Sequence, residues 1–328
     1  MVSVNPYTDI GVFDESVAKR YSIEPRLLGS APAPLAPHIF AAVAATLSEP
    51  RGSGRHALLI SGESGAGKTE TMRFGLVFLA ARCFAAERVR DRLLHSNPVL
   101  EAFGNARIRQ NGNSFRFGKF IEVHISSSRE ILGATLQPYM LESSRVAGSL
   151  PKFERTYHVF YQVRAALEVL LAGQSQPCDF WHSIASNPQW VELATTAGKL
   201  LATSPRLDEG PSREECLEGF ESLHHKLLSM GATDDTVAAV ARVVAAVAIL
   251  ADEDRVELDA LLTAVEQFLG ISQERFRMFL VCVESSAGPG GRERYVRNRS
   301  EAEARTLRQS VAQELYAALS SWVILIIF

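Results

Sequence analysis

The sequence predicts an α/β fold whose second half turns helical, and three observations carry that prediction. An apolar run, His56-Ala57-Leu58-Leu59-Ile60, reads as a buried strand leading into a glycine-rich turn and then a helical pattern. Phe120–Ile125 alternates, with Ile121, Val123 and Ile125 on one face; after the polar turn Ser126–Arg129, Ile131–Leu136 can return as its hairpin partner. From about residue 190 to the end nearly every stretch reads as helix.

Taken in chain order, the start lacks the apolar core of a secretory leader, since Val2-Ser3-Val4-Asn5-Pro6 is mixed and short. Ala31-Pro32-Ala33-Pro34-Leu35-Ala36-Pro37 is an extended connector, each proline biasing its predecessor away from helix. Pro50–Arg55 is a flexible loop. The turn that follows, Gly62-Glu63-Ser64-Gly65-Ala66-Gly67-Lys68-Thr69, is a complete phosphate-binding loop. Its glycines permit positive φ and remove side chains, so successive N–H groups can converge on phosphate oxygens. A helix predicted to begin near Lys68 adds the partial positive charge of its N-terminus. Lys68 would reach the β- and γ-phosphates, and the Thr69 hydroxyl would ligate Mg²⁺. The bland alternative is a surface Gly/Ser loop; the strand before it and the apolar line Met72, Leu76, Leu79, Cys83 after it argue against that.

Farther on, Val237–Leu250 is Ala/Val-rich and long enough for a buried helix, against the modest helix preference of its β-branched residues. Ser286–Gly291 reads as a second flexible loop. Ser300-Glu301-Ala302-Glu303 is a capping box, and the helix it opens carries Ala304, Leu307, Val311, Leu315, Ala318 and Trp322 as its apolar line. Trp322–Phe328 is an apolar run far short of the ~20 residues a bilayer span needs. It reads as an element cut off before its partner.

At 328 residues the chain has room for one large α/β domain or two small ones. A formal net charge of −3 gives no reason to expect nucleic acid or an anionic membrane as partner. Cysteines at 83, 178, 216 and 282 form no CxxC pair, so they read as reduced thiols of a cytosolic protein rather than a disulfide framework or zinc site. The doublet His224-His225 reads as a solvated helix face, not a ligand pair.

Four further segments narrow the family. Asn97-Pro98-Val99-Leu100-Glu101-Ala102-Phe103-Gly104-Asn105-Ala106 leads into Asn111-Gly112-Asn113-Ser114-Phe115-Arg116-Phe117-Gly118-Lys119-Phe120. Tyr139–Val146 and Glu154–Gln162 follow, while Asn5-Pro6-Tyr7 and Pro37-His38-Ile39-Phe40 precede the phosphate loop. In this order the segments resemble the motor head of myosin heavy chains, densely from Asn5 to about Gln162, more weakly to about residue 300, and again over 301–322. A kinesin-type motor does not fit around Tyr139–Val146, and no acceptor site for a small-molecule kinase is found.

The resemblance implies a P-loop NTPase-type mixed, largely parallel sheet with flanking helices, plus a mainly helical upper subdomain. The nucleotide-binding part would take up about residues 1–164 and the upper subdomain about 165–328. It implies ATP with Mg²⁺ as ligand, filamentous actin as partner, an actin-activated ATPase activity, and a cytoplasmic, cytoskeleton-associated location. Asn5 and Pro6 would hold the adenine ring. Asn111, Asn113, Ser114 and Arg116 would form a mobile switch loop closing over the γ-phosphate, with Asn111 touching phosphate oxygens, Ser114 placing the attacking water and Arg116 pairing with a carboxylate in a second switch.

Departures accompany the likeness. Phe115 stands where the family has a serine that gives an oxygen to Mg²⁺, and a ring supplies none. Thr8 and Phe13 replace a usual Lys and Tyr near the base. The second switch, Asp-Ile-x-Gly-Phe-Glu, is not found in the sequence, and Ala85–Asp91 makes a short loop. The expectation is therefore a motor-head piece that binds ATP, with the alternative of a nucleotide-binding remnant without hydrolysis or force generation.

Overall fold

The computed structural model describes residues 1–22, 36–48, 54–85, 89, 92, 96–173, 179–204, 207, 210–252, 256–287 and 293–327. Most of the connector at 31–37, most of the loop at 50–55, most of 85–91, Cys178, the glycines of the second loop and Phe328 lie outside the described residues. The elements, in order, are α1 (Glu15–Ser22), α2 (Ile39–Ser48), α3 (Lys68–Arg82), β1 (Phe84–Ala85), α4 (Asn97–Gly104), β2 (Asn105–Ile108), β3 (Asn111–Phe115), β4 (Gly118–Ile125) and β5 (Glu130–Tyr139). Then follow α5 (His158–Leu171), α6 (Asp179–Ser186), α7 (Pro188–Ala202), α8 (Arg213–Ser229), α9 (Asp234–Ala251), α10 (Leu258–Leu269), α11 (Gln273–Val281), β6 (Cys282–Ala287), β7 (Glu293–Asn298) and α12 (Glu301–Ile327). Contacts divide the chain into two compact units: residues 1–97 with 119–137, and residues 98–118 with 138–327.

In the first unit α2 and α3 pack over Ile39, Phe40, Val43 and Phe78. The Phe40 and Phe78 rings stack at 4.6 Å, and Phe13 stacks face to face on Phe74 at 3.8 Å. The buried positions of α3 are Gly75, Phe78 and Ala80, followed by Cys83. That is a correction to the line Met72, Leu76, Leu79, whose members are only half-buried. The cause is Gly75: a Cβ there would sit 3.4 Å from Ile39, so α2 approaches where α3 has no side chain. The predicted hairpin forms as β4 and β5, with Ser126 N donating to Glu130 O at 2.8 Å and Arg129 at φ 62° in the turn. β1 joins β5 in parallel register, Phe84 opposite Glu130.

One strand prediction fails. Residues 56–60 form no strand; Leu58 is half-exposed and Leu59 is 94% exposed. An apolar run becomes a strand only beside another strand, and none of the described strands pairs with this one. Of the expected mixed, largely parallel sheet with flanking helices, the described residues form the helices and three small sheets, β1–β5–β4, β2–β3 and β6–β7, with β1–β5 a parallel pair. The β6–β7 sheet is a hairpin in register from Cys282↔Asn298 to Ala287↔Glu293, inside the half read as helical.

The second unit is built around α9, as the Ala/Val run predicted. Its residues Val237, Val240, Val244 and Val247 are buried at three- and four-residue spacing, and it packs against α5, α7, α8, α10 and α12. Caps set the helix starts: Asn187 accepts from Gln189 N ahead of α7, Ser212 and Glu215 form a capping box on α8, and Thr233 accepts from Thr236 N ahead of α9. On α12 the predicted capping box is present, Glu303 N donating to Ser300 Oγ at 3.3 Å and Ser300 N to Glu303 Oε2 at 2.8 Å. Arg308 of α12 reaches the C-terminal end of α9, donating to the carbonyls of Ile249 and Leu250 at 2.8 Å each and to that of Asp252. These are carbonyls a helix end leaves without an intrahelical donor.

The buried line of α12 is Ala312, Tyr316, Leu319, Val323 and Ile324, so the predicted line is displaced around the helix and Trp322 faces outward. The apolar end is not an isolated tail; it continues α12 to Ile327. His224 corrects another reading. It is 4% exposed rather than solvated, with Nε2 2.7 Å from Asp234 Oδ1.

Candidate functional site

The phosphate-loop residues lie in the first unit. Gly65 and Gly67 take φ of 81° and 86°, the left-handed region that side chains resist. Gly67 is also the N-cap of α3 and brings no side chain to it, so no cap oxygen competes for the N–H groups of the first turn. Lys68 folds back across the turn, its Nζ donating to Gly62 O at 2.8 Å and Glu63 O at 2.7 Å. Ala66 N donates to Glu63 O at 3.2 Å and Thr71 Oγ1 to Gly67 O at 2.9 Å, fixing the curl. Glu63 and Ser64 are exposed, and Thr69 is half-buried.

Asn5 is fastened to this turn. Its Nδ2 donates to Gly65 O at 2.7 Å, its Oδ1 accepts from Tyr7 N at 3.0 Å, and a Cβ on Gly67 would come within 3.5 Å of it. Pro6 and Thr8 beside it are exposed. Phe13 is not presented to a ligand; it is committed to packing between Phe74, Phe40 and His38.

This turn fits a phosphate chain. Three side-chain-free positions, an uncapped helix start and an ammonium held only by two carbonyls make a cradle for an oxyanion. It also fits Mg²⁺ carried with that phosphate. Such a cation keeps several waters and takes one or two protein oxygens, and Thr69 offers one hydroxyl. Among the described residues no cluster of His, Cys, Asp or Glu could hold a metal by itself.

Asn111, Asn113, Ser114 and Arg116 lie in the second unit, the first three on β3 and Arg116 immediately after it. β3 pairs with β2, Asn105 opposite Phe115, Ala106 opposite Ser114 and Ile108 opposite Asn111, with an irregularity before Ile108. The side-chain oxygen of Asn111 accepts from Asn113 N at 2.9 Å. Asn113 Oδ1 accepts from Asn105 Nδ2 at 2.7 Å and lies 3.1 Å from His158 Nε2, while its Nδ2 donates to Glu101 at 3.2 Å. Burial, aided by the Arg155 charge, lowers the His158 pKa, which favours a neutral ring donating from Nε2. Ser114 is 4% exposed.

Arg116 has a partner within the chain, contrary to the expectation that its carboxylate lies elsewhere. Its Nε donates to Glu142 Oε2 at 2.6 Å, and Nη1 is 3.4 Å from Ser114 Oγ. Arg145 Nε donates to the same Glu142 oxygen at 2.8 Å, its Nη2 to Glu154 at 2.5 Å and its Nη1 to Arg155 O at 3.0 Å. Burial alone would raise the Glu142 pKa; the hydrogen bonds and charges of Arg116 and Arg145 outweigh it and hold it below the ordinary carboxylate value. The Tyr157 hydroxyl donates to Glu142 O at 3.0 Å, and burial followed by the Glu142 charge pushes its pKa far up.

Phe115 has a packing role. Its ring lies 5.6 Å from that of Phe117, which covers Gly104 so closely that a Cβ there would fall 1.8 Å from the ring. Phe117 also lines an apolar cavity of about 100 Å³ with Leu100, Phe103, Leu141 and Val323. Glu101, Asn105, Glu142, Arg145, Glu154, Tyr157 and His158 were not assigned roles from sequence. All lie inside the quoted family segments, which was the available signal.

Comparison with known proteins adds the final observation. The profile of the myosin head (motor domain) family matches residues 1–327. Myosin-4 of Arabidopsis thaliana is 29% identical over 331 residues, covering 99% of this chain and 27% of that protein. Unconventional myosin-Vb of Homo sapiens is 28% identical over 339 residues, covering 99% and 17%. Myosin-I heavy chain of Dictyostelium discoideum is 40% identical over 176 residues, covering 53% and 7%. The chain thus spans about a quarter or less of the length of these relatives.

Proposed function

Because the chain belongs to the myosin head (motor domain) family, we propose that it binds ATP with Mg²⁺ as part of an actin-based motor. The observation that carries this reading is the Gly62–Thr69 turn, with its left-handed glycines, its uncapped helix start and Lys68 bonded only to carbonyls. An anion entering the turn would take over the first-turn N–H groups and draw the Lys68 ammonium from Gly62 and Glu63 onto its β- and γ-oxygens. Thr69 would hold the Mg²⁺, whose chemistry is to neutralise charge on those oxygens. Asn5, already laid against Gly65 and Gly67, and Pro6 would flank the base. Asn111 and Asn113 would contact phosphate oxygens and Ser114 would position water. A P-loop NTPase-type organisation, with a nucleotide-binding part to about residue 164 and a helical part beyond it, belongs to the same proposal.

Actin binding, ATPase activity and a cytoplasmic, cytoskeleton-associated setting are proposals for the whole protein, with neither nucleic acid nor membrane as partner. Among the described residues no helix is long and apolar enough to cross a membrane.

A second reading, nucleotide binding without hydrolysis or force, is favoured by Phe115, whose packed ring offers no oxygen. Calorimetry decides the first point: Lys68→Ala is expected to weaken ATP binding by at least about tenfold, the loss of one charge-assisted contact. Unchanged affinity would remove the site assignment. Single-turnover hydrolysis with and without filamentous actin separates the two readings, since only the motor reading expects stimulation.

A further inference from the structure

The two arginines on Glu142 are unequal. Arg145 has a side chain 3% exposed, with Nε, Nη1 and Nη2 all donating, to Glu142, Arg155 O and Glu154. Arg116 has a side chain 26% exposed and donates well only through Nε; its contact to Ser114 Oγ is long at 3.4 Å. Its backbone is held separately, N donating to Gly104 O at 2.8 Å and O accepting from Glu142 N at 3.1 Å. The guanidinium can therefore leave while the Arg116 backbone stays held. When it does, the Glu142 charge stays compensated by Arg145, which avoids the penalty of an isolated partly buried carboxylate.

We propose that Glu142 is a positioning residue, an internal carboxylate that parks the Arg116 guanidinium beside Ser114, with Arg145 as its fixed anchor and Arg116 as the one arm free to exchange onto another anion. Its bearing on nucleotide handling rests on the ATP-binding reading; the parking itself does not.

The test uses a dicarbonyl reagent that modifies guanidinium groups, with sites mapped by mass spectrometry on the full 328-residue chain. In the wild-type chain Arg116 is expected to react about tenfold faster than Arg145, following their difference in hydrogen bonding and exposure. Glu142→Gln should speed Arg116 labelling a further ~fivefold, leave Arg145 slow through Glu154, and be largely reversed in Glu142→Asp. Equal wild-type rates for the two arginines, or no acceleration in a folded Glu142→Gln chain, would overturn the proposal. The wild-type comparison stands even if that variant does not fold. ATP affinity gives a second readout: Glu142→Gln added to Arg116→Gln should change it no further, whereas additive losses would mean that Glu142 does not act through Arg116. If the wild-type chain binds no ATP, the nucleotide reading fails while the labelling still decides the parking.

Discussion

The phosphate turn and the β3 region are built in opposite ways. The turn works by omission: glycines at 62, 65 and 67, no cap on α3, and a lysine resting on two carbonyls. The β3 region works by saturation, with Asn113 bonded on both amide atoms and Arg145 donating in three directions. A site formed by omission leaves donors for a ligand and adds little to stability. A saturated one adds rigidity, and its buried members are costly to leave without partners.

Substitutions can press on that contrast. The largest loss of stability is expected at the base of the saturated region. Tyr316 is fully buried, stacked on Tyr157 at 5.0 Å and on Phe160 at 5.1 Å, and donates to Phe103 O at 2.7 Å. Tyr316→Ala should cost about 3–5 kcal/mol in denaturant unfolding; a loss below about 1 kcal/mol would mean the stack is not a support. Gly104→Ala should cost roughly 1–3 kcal/mol, as the Phe117 ring is driven toward its neighbouring cavity.

Next comes a pH effect at His224, whose neighbours include Asp234, His225, Trp190, Phe180 and Phe220. Burial lowers its pKa below 6.5, more than the opposing pull of Asp234 raises it. The unfolded chain therefore takes up the proton first. The contribution is present in full above the unfolded value and is lost as pH falls through 6.5 toward the lower folded value. Urea midpoints for the wild type should fall between pH 7.5 and 5.5, conditions chosen about one unit either side of an ordinary histidine. His224→Gln should fall less, and parallel curves would exclude the residue as the source. The smallest effect on stability belongs to the omission site: Lys68→Ala should move unfolding by no more than about 0.5 kcal/mol while ATP affinity drops. A large stability loss there would erase the contrast.

Legibility in sequence follows the same division. The phosphate loop could be read because its chemistry is contiguous; Lys68 and the carbonyls it meets are five and six positions apart. The capping box at Ser300–Glu303 and the buried run of α9 were legible for the same local reason. The carboxylate holding Arg116 was not, since Glu142 is 26 residues away and nothing in either segment names the other. Nor did helical spacing alone locate the buried face of α3 or α12, because the neighbour chooses among apolar residues. At Gly75 it chose a position that spacing counts as blank. The run at 56–60 shows the converse: apolar content allows a strand, but a partner makes one.

Arg308 has a consequence for how the stretch between α9 and α12 can vary in length. By gripping the end of α9 from 56 to 59 positions further along the chain, it closes the intervening stretch, which contains α10, α11 and the β6–β7 hairpin, into a loop with a fixed neck. The entropy of such a closure grows only with the logarithm of its contour, about 0.6 kcal/mol per doubling. Insertions inside the neck are therefore thermodynamically mild, whereas a change at Arg308 removes the polar part of a neck that the packing of α12 on α9 also holds.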